Sequence, residues 1–357
     1  MQKILVCHTG AWIGDMVLLT PALRLLKQAY PESYLTVLLR PLVANLMNTH
    51  PYVDNYIVDT KQEGLYRSFI RLIHQIRDNT FDIAIVFHPT SFRNALLPYL
   101  ARIPIRIGAN YKGRGFFLTS SCPNNTNLHE VDRYLSVLHL LNVNAVSIEK
   151  SVNITGSFSS THLEFWHTDA DRQMIQQALG NEGVSPNEQL IAVNLGTTWQ
   201  TKRWDARNFD EVINQISNAA PDVKIVLTGS SSEKIIVEKL SLSESVINFV
   251  GKTDIFQLGA LLERCEICLT CDSGPMHIAA AVGTPTVALF GPTDPKCHRP
   301  YGIGHTVIEK PVPCRPCYKR TCHRQNTPHL CMQEINTTEV TKALVTKLNQ
   351  NNPNDST

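Results

Sequence analysis

The run Glu266-Ile267-Cys268-Leu269-Thr270-Cys271-Asp272-Ser273-Gly274-Pro275-Met276-His277-Ile278-Ala279-Ala280-Ala281 changes character once, at Asp272. Before it lies a short apolar segment that reads as a buried strand; after it comes a run of small residues that reads as a helix. Asp272 therefore stands at the carboxyl end of a strand, where open α/β sheets bind ligands. Gly274 permits a tight turn, and Pro275 at the first helical position leaves N–H groups at the positive end of the helix dipole. That is an anion site suited to a diphosphate, with His277 one turn in as a further donor to a phosphate oxygen or sugar hydroxyl. The same spacing also fits an ordinary strand–turn–helix with Asp272 as a cap and His277 on the surface.

The pattern repeats on both sides of this run. Strands are expected over 3–7, 34–39, 82–87 and 105–108, with helices over 17–29, 65–79, 92–101 and 131–141. The rhythm restarts with strands over 190–195, 224–228, 246–250, 266–270 and 286–290, separated by helices over 209–219, 233–240, 255–264 and 276–282. Such βαβ alternation predicts α/β architecture with parallel sheets. Small and polar residues over 154–161 read as a linker. The expected domains are 1–160, 161–335, and a final helix and tail over 336–357, with Asn336 as N-cap and Glu339 at N3.

A length of 357 residues suits two domains, and 43% apolar with 18% charged residues describes a soluble globular protein. No apolar run reaches the roughly 20 residues that span a bilayer. The N-terminus, Met1-Gln2-Lys3-Ile4-Leu5-Val6-Cys7, reads as a first strand rather than a signal peptide, so a cytoplasmic location is expected. The net charge of +2 decides nothing, but residues 88–128 carry Arg93, Arg102, Arg106, Lys112 and Arg114 with no Asp or Glu. That run fits an anionic partner, or a surface whose counter-charges come from elsewhere in the fold.

Three more groups could carry chemistry. The loop Asn194-Leu195-Gly196-Thr197-Thr198-Trp199-Gln200-Thr201-Lys202-Arg203-Trp204 leaves the first strand of the second half; Thr197 and Thr198 can donate to phosphate oxygens, and Lys202 can stabilise a departing diphosphate. At the front, Asp15 follows Gly10-Ala11-Trp12-Ile13-Gly14 at a helix entrance, where it is either a general base or an N-cap. Ten cysteines in a chain without an export signal point to reduced thiols or metal ligands. Cys265, Cys268 and Cys271 straddle a strand and read as packing. Cys314, Cys317, Cys322 and Cys331 are compatible with structural zinc, with free thiols, or with a condition-dependent disulfide. Asp169-Ala170-Asp171 matches an Asp-x-Asp metal site only superficially and reads as the acidic first turn of a helix.

With those residues in view, the chain resembles glycosyltransferase family nine, the ADP-heptose:lipopolysaccharide heptosyltransferases. The likeness rests on Gly14-Asp15-Met16 with Thr20-Pro21-Ala22-Leu23, on Pro104-Ile105-Arg106-Ile107-Gly108, on 197–204, and on 272–277 with Ala279-Ala280-Ala281. The late loop, Cys314 to Cys322 with Cys331-Met332, is similar to that of the heptosyltransferase II branch.

The resemblance implies a GT-B fold of two Rossmann-like domains and inverting transfer from an ADP-sugar with no required cofactor. It implies Asp15 as base and Lys202 as the leaving-group cation. Thr197, Thr198, Lys202, Glu233, Asp272, Ser273, Gly274, Met276 and His277 would line the ADP-heptose site. Arg93, Arg106, Lys112 and Arg114 would meet a lipid A-linked inner-core oligosaccharide at the inner face of the cytoplasmic membrane. A monomer with no nucleic-acid partner is expected. Rival readings are a family-nine enzyme with another donor or acceptor, a nucleotide-sugar epimerase, and a binding module with a zinc-stabilised cysteine loop.

Overall fold

The computed structural model describes residues 1–10, 12–60, 65–141 and 161–351. The linker expected over 154–161 and the end of the tail fall almost wholly outside them. The chain divides into two units, Met1–His162 and Leu163–Thr357.

The first unit runs β1 (Lys3–Cys7), α1 (Ile13–Ala29), β2 (Tyr34–Leu39), β3 (Asn55–Val58), α2 (Leu65–Asp78), β4 (Ile83–Val86), α3 (Phe92–Leu100), β5 (Ile105–Asn110), β6 (Ser120–Pro123) and α4 (Glu130–Leu138). Its strands are all parallel, in the order β3-β2-β1-β4-β5-β6. The second unit runs α5 (Asp169–Asn181), β7 (Leu190–Asn194), α6 (Ala206–Ala219), β8 (Lys224–Thr228), α7 (Lys234–Val237), β9 (Val246–Asn248), α8 (Ile255–Glu263), β10 (Ile267–Cys271), α9 (Gly274–Ala281), β11 (Thr286–Phe290), α10 (Pro295–His298), β12 (Thr306–Glu309), α11 (Leu330–Gln333) and α12 (Thr337–Asn351). Its parallel sheet has the order β12-β11-β10-β7-β8-β9. Counted from its own first strand, this is the same winding as in the first unit, the doubly wound dinucleotide-binding order.

The central strands β4, β7, β10 and β11 are buried along their whole length. This is why they read as continuous apolar runs rather than alternating ones: helices cover both faces of a parallel sheet. Ile191, Val193, Leu269 and Leu289 meet Phe209 and Ile213 of α6 and Val340 and Leu344 of α12 in one core. The final helix, expected as a separate terminal element, packs into the second unit. No helix among the described residues is long and apolar enough to cross a membrane.

Three strands escaped the sequence pattern: β3, β6 and β12. All three lie at or beside sheet edges, are four residues long and are partly solvent-facing, so burial imposed no apolar run on them. Helix α1 begins at Ile13, four residues before the expected start. Its N-cap position is Trp12, and Asp15 is the N3 residue whose carboxylate accepts the Trp12 N–H at 2.7 Å. The N-cap alternative for Asp15 is thereby corrected: it closes the helix entrance from inside the first turn.

Trp204, at the end of the loop that carries Lys202, stacks edge-to-face on Phe209 with centroids 5.1 Å apart. The Phe209→Ala substitution removes the ring that anchors this loop and is expected to cost about 3–5 kcal/mol by equilibrium denaturation; a loss below about 1 kcal/mol would contradict this packing role.

Candidate functional site

In each sheet the chain starts at a central strand, winds outward, then returns to build the other half. The loops leaving β1 and β4, and those leaving β7 and β10, therefore part to opposite faces at the carboxyl ends of the strands. In the second unit this switch point is held by buried Asn194, in register with Thr228 on β8 and Thr270 on β10. Its side chain donates to Gly196 O (2.9 Å) and Thr270 Oγ1 (3.3 Å) and accepts from Thr228 Oγ1 (3.4 Å). Sequence reading passed over this polar row. An Asn ending an otherwise apolar strand was the available signal.

Lys202 Nζ lies 2.6 Å from Asp272 Oδ2. Thr293 Oγ1 donates to the same carboxylate oxygen at 2.5 Å, and Thr197 Oγ1 donates to Asp272 O at 3.4 Å. Burial alone would raise the Asp272 carboxyl, but Lys202, and after it Thr293, outweigh burial and hold it below the usual carboxylate range. The Lys202 ammonium also stands 4.6 Å from the Trp199 ring centroid. Thr293 was not singled out from sequence, although it follows β11 in a third strand-end loop, Phe290-Gly291-Pro292-Thr293.

Ser273 occupies the N-cap position of α9 without capping it; its hydroxyl turns back to Thr270 Oγ1 at 3.2 Å. The first-turn amides of α9 thus have no intrahelical acceptor, and Pro275 removes only one of them. Met276 differs from expectation in detail. Its side chain is fully buried with Ala288 and Phe290, so only its backbone amide belongs to the helix end. His277 is also buried, at 5% exposure, which removes the surface-residue alternative. Thr198 is exposed beside Thr197. Glu233 follows β8, and its carboxylate accepts from Ser230 N (2.9 Å), Ser230 Oγ (2.7 Å) and Ser232 Oγ (2.8 Å). A Cβ on Gly196 would stand 3.0 Å from that carboxylate, so glycine lets the β7 loop pass beside Glu233.

The corresponding point of the first unit carries Asp15. Thr9 and Asn94 exchange two hydrogen bonds of 3.0 Å, and the His88 ring fills the space where a Cβ of Gly10 would be. His8 Nε2 is 3.1 Å from Tyr134 Oη. Burial pushes the His8 imidazole down to about 4 and that of His88 down to about 3, so both rings are neutral at neutral pH. Burial pushes Glu130 up to about 7; Arg133 opposes this and the Asp15 charge adds to it. His8, His88, Asn94, Glu130 and Tyr134 were not singled out from sequence, being spread over the ends of β1 and β4 and over α3 and α4.

The acid-free run is not one open basic face: Arg93, Arg106 and Arg114 are engaged within the fold, while Arg102 and Lys112 are exposed. Arg93 forms a bidentate pair with Asp59 at 2.8 and 2.9 Å, a counter-charge supplied from outside the run. Arg106 donates to the carbonyls of Ile103, Pro104 and Phe117. Arg114 is fully buried and donates to Ala109 O, His88 O and Ser91 O. Lys112 is exposed. Asp169 and Asp171 stand in the first turn of α5, where Asp171 accepts the Thr168 N–H at 2.7 Å. Cys265, Cys268 and Cys271 are buried in the second unit, while Cys314, Cys317, Cys322 and Cys331 line one small cavity.

Residues 69–327 match the model of the family described as glycosyltransferase family 9 (heptosyltransferase). The chain is 31% identical to lipooligosaccharide heptosyltransferase 2 of Haemophilus ducreyi, over 86% of this chain and 88% of that one. It is 26% identical to lipopolysaccharide heptosyltransferase 3 of Escherichia coli, over 81% and 82% respectively. Its structure is similar to that of E. coli ADP-heptose LPS heptosyltransferase II, with a TM-score of 0.74, 23% identity, and 98% and 99% of the two chains covered. The fold, two doubly wound parallel sheets, is GT-B.

Two stability measurements check the electrostatics. Asp272→Asn leaves the partly buried Lys202 ammonium without its carboxylate and is expected to cost about 3 kcal/mol at pH 7. Because the folded pKa of Asp272 is depressed, that difference is complete above about pH 4 and shrinks as pH falls through the folded value; a pH-independent difference would contradict the pair. Glu130 has the opposite sign. Its raised folded pKa makes the wild-type chain lose stability as pH rises from about 4.5 towards 7, so Glu130→Gln is expected to gain on wild type by about 2–3 kcal/mol at pH 8 relative to pH 4.

Proposed function

We propose that this chain, which belongs to glycosyltransferase family 9, transfers a heptose from ADP-heptose to the inner-core heptose of lipopolysaccharide, as a type 2 heptosyltransferase. The observation that carries the reading is the Lys202–Asp272 pair beside the N-terminal end of α9, whose Gly274 and Met276 amides have no intrahelical acceptor, at the switch point of the second sheet. A diphosphate needs fixed donors and one well-placed cation, and both stand there before substrate arrives.

In this reading the first-turn amides of Gly274 and Met276 and the hydroxyls of Thr197, Thr198 and Ser273 hold the donor diphosphate. Asp272 orients Lys202, whose remaining N–H donors stabilise the ADP leaving group as the glycosidic bond breaks. Glu233 takes the ribose, its carboxylate pre-oriented by Ser230 and Ser232. Asp15 accepts the proton from the acceptor hydroxyl as that oxygen attacks the anomeric carbon, and the configuration inverts. The Trp12 amide fixes one of its oxygens. Lys112, exposed like Arg102 while Arg93, Arg106 and Arg114 are engaged, is the lysine of its segment suited to an anionic acceptor. A lipid-linked acceptor would bring a monomeric enzyme to the inner face of the cytoplasmic membrane as a peripheral visitor.

The test is a mass-spectrometric assay of the purified chain with ADP-heptose and a truncated core acceptor carrying one heptose. A gain of one heptose is expected, and competing nucleotide sugars should not support it. Absence of transfer to that acceptor, with transfer to another, would overturn the type 2 assignment. Asp15→Ala and Lys202→Ala are each expected to lower kcat by about 100-fold or more; turnover of Asp15→Ala near wild type would remove it as the base.

A further inference from the structure

We propose that Cys314, Cys317, Cys322 and Cys331 bind one thiophilic metal ion, zinc or iron, which braces the loop carrying Lys202. Most of the other cysteines have a plain explanation in packing: Cys7, Cys265, Cys268, Cys271 and Cys297 are buried. The four late ones fall between β12 and α12, where the one regular element is the four-residue α11. Such a segment buries little apolar surface with which to offset its own ordering entropy.

Three observations point to an ion. All four cysteines line a single cavity of about 10 Å³, room for one atom. His329 N–H donates to Cys322 Sγ at 3.3 Å, the kind of bond that supports a thiolate ligand, and the same cavity is lined by His323. The charge balance also fits. A divalent ion with four thiolates carries two negative charges, and residues 310–333 hold Lys310, Arg315, Lys319, Arg320 and Arg324 with no Asp or Glu. Two of those arginines, Arg315 and Arg324, border the cavity itself. Lys310 and Arg315 also pair with Glu339 and Glu309, so the balance concerns chiefly Lys319 and Arg324.

No trio of Cys, His, Asp or Glu among the described residues stands at coordination spacing. Loading therefore has to draw the sulfurs together across the cavity, whose Cys314, Cys317 and Cys322 are only half-buried. The brace reaches both halves of the ion pair. Thr201, also on the cavity wall, donates to Lys319 O at 2.8 Å and directly precedes Lys202. Arg315 donates to Thr293 O at 3.2 Å, and Thr293 in turn holds Asp272.

The experiment uses the full chain, reduced and freed of any affinity tag, with elemental analysis, titration with an organomercurial, and reconstitution with cobalt(II). About one zinc or iron per chain, released as four thiols are capped, is expected, with a thiolate-to-cobalt charge-transfer band in the substituted protein. Cys317→Ser and Cys322→Ser should weaken metal binding at least tenfold, while Cys122→Ser should not. Should those variants fail to fold, the mercurial-stripped wild type serves: hydrogen exchange across 200–204 is expected to accelerate on stripping. A chain without metal that forms no cobalt charge-transfer band overturns the proposal, as do disulfides among the four. Neither result depends on whether heptose is the sugar transferred.

Discussion

The ion pair between Lys202 and Asp272 exists because the second sheet reverses its strand order between β7 and β10. Residues far apart in the chain leave adjacent strands in the same direction, and their loops then diverge. Only at the point of divergence can a side chain from one loop lie across the end of the other strand. Burying both charges is costly, and the pair is poor evidence for stability in itself. What it supplies is position: an ammonium held by a carboxylate and by the Trp199 face, with its place fixed before any ligand arrives. Thr197, Thr293 and the Asn194 row then satisfy the polar atoms that this arrangement brings under cover.

The first unit repeats the winding but fills its switch point differently. Neutral His8 and His88, a carboxyl at Glu130 that titrates near neutrality and the engaged carboxylate of Asp15 replace the cation and helix end of the second unit. The shared strand order determines where a site can be; the side chains at the strand ends determine what it does. The glycines follow the same logic. Gly10 admits the His88 ring and Gly196 admits Glu233, each where two strand-end loops must pass closely.

The central strands were legible because parallel sheets bury both faces, so β2, β8 and β11 announce themselves as uninterrupted apolar or β-branched runs. Edge strands such as Ser120–Pro123 carry no such constraint and went unseen. The start of α1 was missed because Trp12-Ile13-Gly14 looks like loop, and because the group that closes the helix entrance lies within the first turn. In the candidate site, Lys202, Asp272 and Thr197 were legible from their place after strands. Thr293, Asn194 and Glu130 were not, since a single polar residue declares its partners only once the topology is known.

Charge in the sequence was the most misleading signal, and the reason lies in the difference between arginine and lysine. Arg106, Arg114 and Arg315 each spread several planar donors over backbone carbonyls of neighbouring turns, closing loops that no sheet partner satisfies. A guanidinium suits this because its fork reaches two or three acceptors from one buried position and is weakly hydrated. Lys202 works as a point charge on one carboxylate, and Lys112 stays in water. A basic run therefore predicts an anion site only to the extent that its cations are spared, and here bracing takes Arg106 and Arg114, a carboxylate takes Arg93, and Arg102 and Lys112 stay exposed.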